Sequence, residues 1–223
     1  PILIIGYSRN VCILKLQVAL DGTLAQAVTI LEQVAAWVDI AEIGTPLIYH
    51  EGMHAARRLR EAFPTLTLLA DLKIMDAGEE EAEIAFEAGC DMVTVLGVSH
   101  DATVAGAARA AQRRGKQVMA DLMRVADPVG RGRELLALGC DVLCVHTAFD
   151  VQSATQTPLG TLTTLRQALP EAALAAAGGI KLANVDAILA LRPQIVIAGG
   201  AITRAANPGA AAQALRERLA VES

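Results

Sequence analysis

From Lys15 onward the chain repeats one pattern: a short run of apolar residues, a polar or glycine-bearing loop, and a longer amphipathic, alanine-rich stretch. The short runs predict strands over 16–21, 38–44, 66–73, 92–97, 117–122, 142–146, 172–177 and 194–199. The longer stretches predict helices over 24–36, 48–62, 79–87, 102–114, 128–138, 159–168, 182–190 and 208–220. Strands that alternate with helices pair in parallel, because each crossover returns the chain to the same end of the sheet. Eight such units predict a single-domain α/β fold, a (β/α)8 TIM barrel. Helix punctuation agrees with the division. Asp127-Pro128 and Asn207-Pro208 each set a capping side chain before a proline at a helix start, and Gly89, Gly115 and Gly139 stand where helices end.

Composition narrows this picture. A chain of 223 residues that is 53% hydrophobic can bury one large core, and its 3% aromatic content suits strands and helices packed through small and branched side chains. The net charge of −5, with no long basic run, argues against nucleic acid as the main partner and leaves room for a local phosphate site. Cys12, Cys90, Cys140 and Cys144 lack paired C-x-x-C spacing and read as reduced core thiols of a cytoplasmic protein. The opening run Pro1-Ile2-Leu3-Ile4-Ile5 is too short to span a membrane. The first methionine is Met53, so residues 1–13 are expected to be an N-terminal extension and 14–223 the catalytic barrel.

Chemistry collects at the predicted carboxyl ends of the strands. Asp21, Glu42, Asp71 with Lys73, Thr94, Asp121 and His146 stand there, at the end where a barrel builds its active site. The opposite ends are expected to enter from helix C-caps and apolar residues, an asymmetry that selects a working face. The densest stretch is Ala70-Asp71-Leu72-Lys73-Ile74-Met75-Asp76-Ala77-Gly78. The strand period of two puts Asp71 and Lys73 on one face, with Asp76 beyond them on the turn. Alone, this stretch suits either an ion pair that ends a strand or a polar pocket; the ring of charged strand ends favours the pocket. Gly178-Gly179 and Gly199-Gly200 follow the last two strands, and paired glycines there leave backbone N–H groups free to approach a phosphate monoester.

These residues outline a reaction. Glu42 and Asp71 end adjacent strands and offer hard oxygen ligands that suit Mg²⁺. His146 is the acid/base near neutral pH, and Lys73, flanked by Asp71 and Asp76, stays protonated for electrostatic and proton-relay work.

The D-x-K-x-x-D motif Asp71-x-Lys73-x-x-Asp76 resembles the signature of the orotidine 5′-monophosphate decarboxylase superfamily. Within it, Lys15-Leu16-Gln17-Val18-Ala19-Leu20-Asp21, Glu42-Ile43-Gly44-Thr45-Pro46-Leu47, Val93-Thr94-Val95-Leu96-Gly97, Val145-His146-Thr147 and Ala198-Gly199-Gly200-Ala201-Ile202 resemble the 3-hexulose-6-phosphate synthases. The resemblance runs from about Lys15 to Leu219. It implies a Mg²⁺-dependent aldolase joining formaldehyde to D-ribulose 5-phosphate, in which Glu42 and Asp71 hold the metal, Asp21 contacts the substrate, Lys73 supports an enediolate and His146 moves the proton. It also implies a homodimer in which Asp76 reaches the partner's pocket. Asp121 matches the synthase branch, where the related 3-keto-L-gulonate 6-phosphate decarboxylases typically carry Glu. Ala148 and Gly200 stand where those decarboxylases place Arg. The chain departs from the synthase pattern at Ala148-Phe149 and Arg124. Competing readings are the decarboxylase, a pentulose-phosphate epimerase and a catalytically silent phosphosugar-binding barrel.

Other polar residues are assigned no chemistry. His50 and His54, four apart on the predicted helix, lack a third metal ligand and read as a solvated face. His100 is a rim residue, Cys144 a packing residue below the pocket, and Glu79, Glu80, Glu81 and Glu83 a helix start whose charge complements the dipole.

Overall fold

The computed structural model describes residues 14–152 and 157–220; the predicted extension, with Cys12, lies outside them. Eight strands form a closed barrel in sequence order, each parallel to its neighbours: β1 Lys15–Leu20, β2 Ile40–Ile43, β3 Thr67–Ile74, β4 Met92–Leu96, β5 Gln117–Asp121, β6 Val142–His146, β7 Leu174–Ala177 and β8 Ile195–Ala198. Around them run α1 Leu24–Val34, α2 Thr45–Glu51, α3 His54–Ala62, α4 Gly78–Glu87, α5 Asp101–Arg114, α6 Pro128–Ala137, α7 Leu159–Ala168, α8 Val185–Leu189, α9 Gly200–Thr203 and α10 Pro208–Ala220.

Strand period two sorts side chains into two cores. Inward residues such as Ile40, Leu69, Met92, Met119 and Ile195 fill the barrel. The alternate positions, among them Leu16, Val18, Leu68, Ala70 and Val93, pack against the helices. Capping follows the sequence. Thr23 and Gln26 form a reciprocal capping box at α1, and Asp127 accepts the Gly130 N–H at α6.

Several expectations change. The helix expected over 48–62 is two helices, because Gly52 takes a left-handed φ of +56°. His50 and His54 therefore stand on different helices. The loop after β8 carries a short helix of its own, α9, directly from the glycine pair. Finally, the amino-terminal ends of the strands are not merely caps and apolar residues. Asp39, Asp91, Asp141 and Gln194 each precede an even-numbered strand, and their side-chain oxygens accept the N–H of Leu16, Leu68, Val118 and Leu174 on the preceding odd strand, at 2.8, 2.9, 2.8 and 2.6 Å. Each of the four returns its own N–H to the carbonyl of the same partner. These side chains close the ladder where sheet pairing begins, which is a structural role. Glu79 and Glu83 also do more than complement a dipole: they pair with Arg109, Arg113 and Arg114 of α5.

One irregularity shapes the other rim. Ala70 pairs with Val93 but Ile74 pairs with Val95, so three residues of β3, Asp71 to Lys73, face the single Thr94 of β4. Lys73 takes φ +49°, a left-handed conformation that costs a lysine about 1 kcal/mol. The Thr94 hydroxyl oxygen accepts the Lys73 N–H at 2.8 Å and holds the bulge.

Candidate active site

A cleft of about 1130 Å³ opens at the carboxyl ends of the strands. Its floor is a continuous polar network. Thr94 donates its hydroxyl to Asp71 Oδ1 at 2.8 Å, and the Thr45 hydroxyl lies 2.9 Å from Asp71 Oδ2. The bulge turns the Lys73 ammonium onto Asp71 Oδ2 while leaving it 3.7 Å from Asp121 Oδ2. Asp121 in turn accepts from His146 Nδ1 at 2.8 Å on Oδ2 and from the Met123 N–H at 2.8 Å on Oδ1. A carboxylate is acceptor-only, so Nδ1 carries the proton and Nε2 is the nitrogen left for proton transfer.

Electrostatics divide these groups. Burial alone would raise Asp121, but the His146 hydrogen bond and charge, the Lys73 charge and the Met123 N–H hold it below its ordinary value. Burial likewise pulls Lys73 down, and the Asp71, Asp121 and Glu42 charges overcome it, so Lys73 stays a cation. Glu42 goes the other way: burial, then the charge of Asp71, pushes it up to about 8. Its carboxylate accepts from Gln17 Nε2 at 2.5 Å. Asp21, at the mouth of the cleft, is raised by desolvation and then by Asp71. Glycine suits position 44 because a Cβ there would lie 2.9 Å from the Leu20 carbonyl oxygen and displace the Asp21 carboxylate.

The far wall is built by the last two loops. Gly178 has φ +103°, and any side chain on it would strike the Thr147 backbone. The Arg204 guanidinium lies over Gly200, where a Cβ would displace it, and sits 5.9 Å from the centre of the Phe149 ring. A lysine-lined carboxylate floor and an arginine-and-glycine wall thus share one cleft. A small polyol with a charged phosphate tail fits that division.

A family model described as orotidine 5′-phosphate decarboxylase / HUMPS family matches residues 14–215. The chain belongs to that family. It is thereby an enzyme of the carbon–carbon lyase type. Among similar proteins, the 3-hexulose-6-phosphate synthase of Bacillus subtilis is 41% identical over 92% of this chain and 99% of its own. The crystal structure of 3-hexulose-6-phosphate synthase from Salmonella typhimurium superposes with a TM-score of 0.91 at 41% identity, covering 94% of this chain and 100% of that one. KGPDC from Streptococcus mutans, solved in complex with a ligand, gives 0.87 at 25% identity, covering 94% and 98%.

Of the site residues predicted from sequence, the family barrel brings all but one to the walls of this cleft. The exception is Asp76, which is exposed, accepts the N–H of the next residue at 2.8 Å and lies outside its own chain's cleft. Six polar cleft residues went unassigned: Gln17, Thr45, Asp150, Gln152, Lys181 and Arg204. Gln17 shares strand parity with Ala19 and Asp21, a signal that an inward polar residue was present. Thr45 opens α2 beside Glu42, and Arg204 lies one helical turn beyond Gly200, at i+4. His100 and Arg124 line a separate shallow groove. Cys144 is buried, and burial with the Asp121, Glu42 and Asp71 charges raises its thiol far above the ordinary range, which makes it a poor nucleophile. Among the described residues no helix is long and apolar enough to cross a membrane, and no group of three or more His, Cys, Asp or Glu side chains is arranged to hold a metal alone.

Proposed function

We propose that this enzyme is a sugar-phosphate aldolase of the 3-hexulose-6-phosphate synthase type, joining formaldehyde to D-ribulose 5-phosphate to give D-arabino-3-hexulose 6-phosphate, and running the reverse cleavage. The observation that carries this reading over a decarboxylase is the gap in likeness, 41% identity to proteins named as the synthase against 24–28% to the decarboxylases on the same barrel.

In this reading His146 Nε2 takes a proton from C1 of the ribulose phosphate, and Asp121 steadies the imidazolium that forms. The Lys73 ammonium faces the negative charge of the enediolate. The nucleophilic C1 forms a bond to the formaldehyde carbon, the carbonyl π pair moves to oxygen, and the resulting alkoxide takes up a proton. Cleavage retraces these steps. Arg204, with the glycine loops, receives the phosphate. Asp21 and Thr94 line the path between the two ends.

The chemistry of the donor set fits a divalent cation, since Glu42 and Asp71 are two hard oxygen donors in one buried site, where burial and then the Asp71 charge raise Glu42, and waters and substrate oxygens complete such a shell. Glu42 and Asp71 would hold Mg²⁺, which when bound supplies positive charge to the oxygens of the sugar's ketone and neighbouring hydroxyl. The reading extends to a cytoplasmic homodimer in which the exposed Asp76 serves the partner's cleft; sedimentation of the purified protein tests the dimer.

The deciding experiment follows formaldehyde and ribulose 5-phosphate by NMR with and without Mg²⁺. A six-carbon 3-ketose phosphate that appears only with metal supports the synthase. Untouched formaldehyde, with CO₂ released from 3-keto-L-gulonate 6-phosphate, replaces it with the decarboxylase.

A further inference from the structure

Gln17 is the third residue of β1, paired by register with Ile40 on one side and Ile197 on the other. Both neighbours belong to the apolar filling of the barrel, and Gln17 is fully buried at 0% exposure. An aliphatic side chain would suit this level of the core. The amide found here instead makes one contact, from Nε2 to Glu42 Oε2 at 2.5 Å, which is the one side-chain hydrogen bond Glu42 receives among the described residues. Its other end is unsatisfied: Gln17 Oε1 is the single buried side-chain nitrogen or oxygen among the described residues with no hydrogen-bond partner. An orphaned buried acceptor weakens a fold, and native structures keep few of them without a use.

We propose that Gln17 is a positioning residue, holding the Glu42 carboxylate in a fixed orientation as a ligand for a divalent cation, with Oε1 left to accept a hydrogen bond from a water that enters with the cation. The inference rests on the metal-assisted reading above and deepens it. A carboxylate at the bottom of a cleft has two free torsions beyond Cβ, and a ligand that rotates loses affinity. A second hydrogen-bonding group that fixes the ligand's orientation is the usual remedy, and removing such a group typically weakens metal binding about 10- to 100-fold. Gln17 is the group placed to do this for Glu42. Asp71 has Thr45, Thr94 and Lys73 for the same purpose.

The test compares wild type with Gln17→Met, which keeps length and volume but has no donor, and with Gln17→Leu as a second filling of the site. Mn²⁺ alone serves as the probe, its affinity read by isothermal calorimetry without substrate, beside the melting temperature of each protein. The expected result is Mn²⁺ binding weaker by about tenfold or more in both variants, with melting temperatures close to wild type, because removal of the orphaned Oε1 offsets the hydrogen bond that Glu42 loses. In turnover, the Mg²⁺ concentration for half activation rises by a similar factor, while KM for ribulose 5-phosphate at saturating Mg²⁺ stays put. Wild-type Mn²⁺ affinity in the variants overturns the proposal, and so does a fall of several degrees in both melting temperatures, which would make Gln17 a packing residue. If wild type itself binds no Mn²⁺, the metal-assisted reading fails first and carries this one with it.

Discussion

At the rim where the strands begin, Asp39, Asp91 and Asp141 are each closed onto a backbone N–H of the neighbouring strand, and Asp39 and Asp91 also meet cations from Arg216, Arg60 and Lys116. At the rim where the strands end, Asp21, Glu42 and Asp71 share one cleft with fewer cations than carboxylates. The same chemical group is driven in opposite directions. Burial would raise Asp91, but the Lys116 hydrogen bond, the Leu68 N–H and the Arg60 charge bring it below its ordinary value. Burial also raises Glu42, and there the largest neighbouring charge, Asp71, adds to the effect. The lesson is that a ring of carboxylates at strand ends does not by itself identify an active site. What distinguishes the two rims is whether every charge is compensated within the fold: where the strands begin these carboxylates are, whereas where they end Asp71 and Asp121 are paired with Lys73 and His146 but Glu42 and Asp21 are left for a ligand to complete.

The strongest way to break this contrast is to remove one group from each rim. His146→Gln should lower kcat by about 10²- to 10⁴-fold and leave the melting temperature nearly unchanged. Asp91→Ala should do the reverse, costing about 2 kcal/mol in urea unfolding, because the Leu68 N–H and two cations lose their acceptor, with kcat of the folded protein intact. A large stability loss in the first variant, or an activity loss in the second, would erase the division between the rims.

The pH dependence of stability sharpens the contrast further. Glu42 rises from 4.5 to about 8 on folding, so the folded protein keeps a proton that the unfolded chain has lost, and its contribution is full below about pH 4.5 and is lost as pH climbs toward 8. Asp91 lies below 3.8 in the fold, so its contribution is present above that value and disappears as pH falls through its folded value. Cation-free wild type should therefore lose unfolding free energy relative to Glu42→Gln from about pH 4.5 to about pH 8, a slope that Mg²⁺ removes. Its advantage over Asp91→Ala should shrink only on strong acidification. Parallel pH profiles for the two variants would count against opposite roles.

The smallest effect concerns Arg204, the arginine of the working rim. Arg204→Ala should weaken ribulose 5-phosphate binding by about tenfold while sparing any weak binding of unphosphorylated ribulose. An equal loss for both sugars would place Arg204 outside the phosphate contact.

Much of this molecule was legible in one dimension. The alternation of apolar strands with alanine-rich helices is a local signal, repeated often enough that the barrel and the glycine pairs after β7 and β8 could be read from spacing, whereas Lys73 meets Asp71 through a bulge and a left-handed φ rather than through the strand period of two. Less visible was any property that depends on two distant segments meeting. Asp91 reads as an ordinary helix-to-strand residue until Leu68, Arg60 and Lys116 are brought around it. Gln17 looks like one polar break in an apolar strand until Glu42, 25 residues on, is found against it. Gly52 divides a helix that side-chain periodicity alone would continue, because its effect is on the backbone.

By itself the sequence determined the order and type of the elements and the residue types at the strand ends, since hydrophobic period, caps and turn residues act over a few neighbours. Tertiary structure decided which charges are neutralised and which are left open. The bulge between Ala70 and Ile74 turns Lys73 into position between Asp71 and Asp121, and parallel register sets Asp121 against His146 and Gln17 against Glu42. Those pairings govern proton affinity and ligand affinity, and they arise only when closure of the barrel brings together side chains that lie far apart along the chain.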